Sequence, residues 1–145
     1  TRLVKGAWAP TAATWGIENR TAAIRVIPGD QYSQRIEVRV GGADANPYLV
    51  QAAALAAMDI GMRKQLLPDD PVLGNAYEAE DDLSPEFHFA SDLMSSARRF
   101  AASSAAKEQF GETFVAHFAM TREWEAREYH RTINSWQLER YFEIV

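Results

Sequence analysis

An α+β fold, with a short antiparallel β hairpin from a larger sheet packed on a mainly helical C-terminal body, is predicted by three features of the sequence. Between Ala22 and Val40, isoleucine and valine alternate with arginine and glutamate in two runs parted by a Pro-Gly turn. From Asn46 onward the apolar residues change to helical spacing. Beyond residue 92, alanine-rich and charge-laced segments of helical period run to the chain end.

In chain order, residues 1–16 are rich in Gly, Ala, Pro and Thr, carry Trp8 and Trp15, and read as a loop leading into a short strand. Residues 22–27 and 33–40 alternate with the two-residue period of half-buried strands. The intervening PGDQ is a turn in which Pro28 fixes φ and Gly29 is free to take a positive φ. Asn46 is placed to cap a helix with Pro47 at its first position, and Leu49, Ala53, Ala56 and Ile60 fall on one stripe, so a helix is predicted to end before Pro68. Residues 69–92 hold eight acidic residues and no Lys or Arg, with Pro71 and Pro85 as breakers, and read as a solvated loop. After it come a helix, a short helix stopped near Gly111 and a long helix from about Glu112, whose apolar side is marked by Phe114, Phe118, Trp124 and Tyr129. The chain therefore reads as one piece of two parts, a loop and β-rich segment over 1–45 and a mostly helical segment over 46–145.

Composition narrows the function. A chain of 145 residues with 47% hydrophobic and 24% charged content supports one globular core. A net charge of −5 argues against nucleic-acid or anionic-membrane partners, so any positive site must be local. No apolar run has membrane-spanning length. With no cysteine, neither a disulfide framework nor a thiolate metal site is expected, which fits a cytoplasmic protein. The opening Thr1-Arg2-Leu3-Val4, without methionine, reads as part of something longer.

The local positive site is the hairpin. Along Arg35-Ile36-Glu37-Val38-Arg39 the strand period puts Arg35, Glu37 and Arg39 on one face, and Arg20 and Arg25 flank the start of the preceding strand. Guanidinium groups bind phosphate and carboxylate bidentately, and a carboxylate among them offers an oxygen ligand to Mg²⁺ or Mn²⁺. An exposed face with a routine Arg–Glu pair satisfies the same spacing.

NRTAAIRVIPG, RIEVR and DANPYLVQAAALAAMDIG, in this order, resemble the C-terminal part of the catalytic domain of the glutamine synthetase family. The preceding RLVKGAWAP resembles the flap-like loop of those enzymes and the terminal WQLERYFEIV their chain end, so the resemblance covers nearly the whole chain. It implies an ATP-dependent ligase that phosphorylates the γ-carboxylate of glutamate and lets ammonia or a primary amine displace the phosphate. It further implies that Arg2 and Arg39 hold glutamate or its phosphorylated form. Arg20, Arg25 and Arg35 would line the nucleotide phosphates, with Arg20 also catalytic at the transferred phosphoryl group, and Glu37 would ligate Mg²⁺ or Mn²⁺. Family members add further metal carboxylates, a histidine region and an N-terminal domain from a neighbouring subunit, so this stretch alone is expected to be inactive and its parent to form a ring-shaped homo-oligomer. A non-catalytic regulatory or assembly module is the alternative.

In typical family members the flap loop carries a glutamate where Trp8 stands. An indole has no carboxylate to bind or deprotonate ammonium, but it offers an apolar or cation–π wall to a larger primary amine. Tyr77, in GNAY, falls where some bacterial members carry an adenylylated tyrosine, but the following Glu78-Ala79-Glu80-Asp81 departs from the family pattern and weighs against modification. His88, His117 and His130 lack metal-ligand spacing and read as surface or packing residues. Glu123, Glu125 and Glu128 interleave with Arg122, Arg127 and Arg131 as a solvated helix face, and Met58 with Met62 reads as core filling.

Overall fold

The alternating runs form a hairpin, β2 (Ile24–Ile27) and β3 (Arg35–Val38), paired antiparallel with Arg25 directly opposite Glu37 and Ile27 opposite Arg35. A third strand, β1 (Trp15–Ile17), lies on the other side of β2 and runs parallel to it, giving a mixed sheet in the order β1-β2-β3. The computed structural model describes residues 3–144, which divide into two units between Ser91 and Asp92. With its sheet in the first unit and helices in both, the chain is α+β.

Parallel neighbours ordinarily need a crossover of about a dozen residues. Here the chain turns back within residues 18–23. Glu18 takes the left-handed conformation at φ 51°, and Asn19 beside it is buried. The Asn19 amide donates to the carbonyls of Val72 (3.1 Å) and Gly74 (2.8 Å), while its oxygen accepts from the backbone N–H of Thr21 (3.0 Å) and the Thr21 hydroxyl (2.7 Å). That one side chain replaces the backbone ladder the tight connection cannot make.

The hairpin turn is organised by Asp30 rather than by a positive φ at Gly29. The Asp30 carboxylate accepts from the N–H groups of Tyr32 (2.9 Å) and Ser33 (3.0 Å) and from the Ser33 hydroxyl (3.0 Å), which holds it below its ordinary pKa. Gly29 is needed for its size, because a Cβ there would collide with the Ser33 side chain.

The helix α1 (Pro47–Arg63) starts as its sequence predicts, with the Asn46 side chain accepting from Tyr48 N–H (3.0 Å) and Leu49 N–H (3.3 Å). No residue of α1 is buried, and Met58 and Met62 are 59% and 71% exposed, so they do not fill a core in this chain. Helical periodicity identifies the apolar side of a helix without identifying what covers it.

The acidic stretch also differs from a solvated loop. Trp15 donates its indole N–H to the Asp69 carbonyl (2.7 Å), Val72 N–H to Trp15 O (2.9 Å), and residues 11–13 exchange backbone hydrogen bonds with 87–89 through an Ala12–His88 bridge. Within it Glu80, in a short 3₁₀ turn, is buried. The eight carboxylates disguise a segment anchored mostly through its backbone.

The second unit contains α2 (Leu93–Ala102), α3 (Ser104–Phe110), α4 (Glu112–Arg131) and α5 (Ser135–Tyr141). α4 packs chiefly on α2, with Phe100 and Phe118 edge to face at 5.7 Å. The buried stripe of α4 is Val115, Ala119 and Ala126 rather than the large aromatics, since small residues let the helices approach while Phe114, Trp124 and Tyr129 remain exposed. The charged ladder is as expected, with Arg122–Glu125 at 2.6 Å, Arg127–Glu123 at 3.4 Å and Arg131–Glu128 at 2.9 Å. α5 is a separate helix with its own capping box at Asn134 and Gln137, a break the continuous periodicity hides.

Candidate active site

Cross-strand pairing assembles the site. Because Arg25 faces Glu37 across the β2–β3 ladder, Arg25 Nη1 lies 3.2 Å from Glu37 Oε2, and Arg35 Nε lies 3.5 Å from Glu37 Oε1 on the same strand face. Arg25 also pairs with Glu18, brought to it by the tight turn after β1. The Glu18 hydrogen bond foremost, reinforced by the charges of Glu18 and Glu37, raises the Arg25 pKa above the usual arginine value.

Arg39, just past β3, is turned to the backbone. Its Nη1 donates to the carbonyls of Arg20 and Ala22, and its Nη2 to the carbonyl of Trp8 at 2.9 Å. It thereby ties the strand end to the connection carrying Arg20 and to the loop carrying Trp8. Trp8 sits in the left-handed conformation at φ 54°, uncommon for a bulky residue, with its side chain 66% exposed.

Trp8, Arg20, Arg25, Glu37 and Arg39 together line a cavity of about 390 Å³. A second cavity, about 730 Å³, shares Trp8 and Arg20 with the first and continues along Ile17, Leu73 and Tyr77. Five of the seven residues singled out in the sequence are thus neighbours. Arg35 reaches the group through Glu37, and Arg2 lies outside the described residues. Glu37 offers one hard oxygen donor of the kind Mg²⁺ or Mn²⁺ takes. Among the described residues no group of three His, Cys, Asp or Glu side chains is placed to enclose a metal. The three histidines do not line either cavity.

Sequence reading missed Glu18 and the buried Glu80. Neither has a local signal, since each meets its cation, Arg25 or Lys5, only through the tertiary path of the chain.

The family model of the glutamine synthetase catalytic domain matches residues 1–141. The chain belongs to the glutamine synthetase family. Among its relatives, type-1 glutamine synthetase 2 of Dictyostelium discoideum is 43% identical over 99% of this chain and 27% of its own length. The glutamate–isopropylamine ligase of a Pseudomonas species is 38% identical over 99% of this chain and 31% of its own. The solved structure of apo GmaS without ligand superposes with a TM-score of 0.70 at 26% identity, over 92% of this chain and 30% of that one. This glutamine synthetase-family chain therefore spans about three tenths of the length of the relatives it matches, and its homologues are ligases. No helix among its described residues is long and apolar enough to cross a membrane.

Proposed function

We propose that the protein containing this chain is an ATP-dependent ligase that joins the γ-carboxyl of glutamate to a primary amine larger than ammonia, through γ-glutamyl phosphate. The observation that carries this reading is the position of Trp8 between the arginine-lined cavity and the larger one beside it. An indole there offers no carboxylate to an ammonium ion. It does offer a flat apolar wall to the carbon chain of an alkylamine, continued by Ile17, Leu73 and the Tyr77 ring. Activity of a relative on isopropylamine supports the same reading.

In the first half-reaction a γ-carboxylate oxygen of glutamate attacks the terminal phosphorus of ATP and ADP leaves. Phosphoryl transfer is served by positioning and charge neutralisation. Arg20 and Arg25 face the transferred group from the first cavity, and Arg35 supports Glu37 from the neighbouring strand position. Glu18 and Glu37 hold the Arg25 guanidinium in place. Glu37 is the residue that would hold Mg²⁺ or Mn²⁺, whose charge would stabilise the phosphates during transfer. Arg39, and with it Arg2, would hold glutamate. Beyond its three backbone contacts Arg39 keeps its Nε–H and one Nη2–H, and these would meet the substrate carboxylate. In the second half-reaction the neutral amine attacks the acyl carbon and phosphate leaves, and the proton passes to a group other than Trp8, which carries no base. The ring-shaped homo-oligomer implied by the resemblance belongs to this proposal and is checked by the mass of the intact particle.

The test is an amine panel with the full-length enzyme, ATP, Mg²⁺ and glutamate, comparing ammonia with methylamine, ethanolamine and a diamine. At least one larger amine is expected to exceed ammonia in kcat/KM. If ammonia equals or exceeds all of them, the reading of Trp8 is wrong. Absence of ADP and Mg²⁺ binding by calorimetry would instead favour a non-catalytic module.

A further inference from the structure

The loop that carries Trp8 is held from the acidic segment by three contacts that the phosphoryl-transfer site does not use. Lys5 Nζ lies 2.8 Å from the carboxylate of Glu80, a residue only 3% exposed, and it also donates to the Tyr77 carbonyl at 3.4 Å. The Tyr77 hydroxyl donates to the carbonyl of Ala9 at 2.9 Å. These contacts bracket Trp8, at residues 5 and 9, and the Arg39 bond to the Trp8 carbonyl lies between them. A left-handed conformation at a bulky residue persists only where its surroundings over-determine it. Gly6, at φ 82°, supplies a second left-handed position two residues before it.

We propose that Glu80 and Tyr77 are positioning residues that clamp the Trp8 loop through Lys5 and the Ala9 carbonyl, and so set which amine the site accepts. The inference rests on the proposed role of Trp8 as a wall of the amine site. Neither Glu80 nor the Tyr77 hydroxyl touches the arginine cavity. Arg39 anchors the loop from the sheet side, whereas Lys5 and Ala9 are gripped from the acidic segment, so the two anchors are separable. A buried carboxylate stripped of its cation is strongly unfavourable, which makes Glu80 dependent on Lys5 and fixes the loop entrance. Removing the tyrosine hydroxyl frees the loop exit without removing the ring that lines the larger cavity.

Two measurements on the full-length enzyme test the clamp with the variants Tyr77→Phe, Lys5→Met and Lys5→Arg. The first is amide hydrogen exchange over residues 4–9, which reads the loop without reference to catalysis. The second is the amine panel, separating KM for the amine from kcat and from KM for glutamate. Tyr77→Phe and Lys5→Met are expected to speed exchange in the loop and to raise KM for the preferred amine by about tenfold, with kcat and KM for glutamate changing less than about twofold. Lys5→Arg, which keeps the ion pair, is expected to restore both. Unchanged exchange in Tyr77→Phe and Lys5→Met overturns the clamp. Faster exchange with unaltered amine KM and preference overturns its role in selection. A wild-type preference for ammonia sinks the larger-amine reading alone, since the clamp is then judged on KM for ammonia and on exchange.

Discussion

Single residues here are set by their partners more than by their own chemistry. Glu80 is the clearest case. Burial alone would raise its carboxyl, but the Lys5 hydrogen bond, with the Thr11 hydroxyl and the charges of Lys5 and His88, outweighs that and holds it below its ordinary value of 4.5. A carboxylate with a lowered folded pKa contributes stability that is fully present above the unfolded value and is lost as pH falls through the folded one. The contribution of Glu80 is therefore present at neutral pH and disappears as pH drops below about 4.5. By carbon-detected titration, Glu80 is expected to have a midpoint below that of solvent-exposed glutamates. Stability between pH 5 and 3 is expected to fall less steeply in Glu80→Gln than in wild type, and an equal slope in the two proteins would show the pair to be inert. Arg25 teaches the complementary point. Its strand position was readable, but its second carboxylate, Glu18, was not, because the pairing depends on a left-handed turn between two parallel strands.

Among the elements, local signals were dependable where the chain's own backbone supplied the partner. The Asn46 cap and the Asp30 turn are formed within three residues of sequence, and both ends of the hairpin lie close to their expected places. The connection from β1 to β2 is different, since its stability comes from Asn19 reaching carbonyls more than fifty residues away. Asn19→Ala removes two donors and an acceptor and leaves the part-buried Val72 carbonyl and Thr21 N–H without these partners. A loss of about 2 kcal/mol is expected, at the middle of the range for unsatisfied buried polar groups. Chemical denaturation measures it, and a change within about 0.5 kcal/mol, the size of an ordinary surface substitution, would refute the role of Asn19 as a hub.

At the scale of the whole molecule, the site is partial. Of the two carboxylates that pair with Arg25, Glu18 and Glu37, Glu37 is the one that lines the arginine cavity, and among the described residues no group of three His, Cys, Asp or Glu side chains is placed to enclose a metal. A chain spanning about three tenths of its ligase relatives is accordingly expected to show no ATP hydrolysis dependent on glutamate and an amine when purified alone. A coupled assay for ADP decides this, and robust turnover would refute it. Two units with separate helical and mixed architecture also caution against reading exposure as function. The apolar side of α1 is a property of one unit and says nothing by itself about a ligand.

The sequence by itself determined the alternation along β2 and β3, the Asn46 start of α1 and the family, because alternation, capping and motif order are properties of neighbouring residues and need no fold to be read. It did not determine burial, since Ile36 and Val38 of β3 are exposed rather than half-buried. It also gathered Trp8, Arg20, Arg25, Glu37 and Arg39 as candidates, which line one cavity. Tertiary structure alone decided that β1 joins the sheet in parallel, that α4 is buried through Val115, Ala119 and Ala126, and that the methionines of α1 are exposed. It alone brought Lys5 to Glu80 and Tyr77 to Ala9. The physical reason is distance along the chain: an ion pair across 75 residues or a hydrogen bond across 68 depends on the path of everything between, and no periodicity encodes that path.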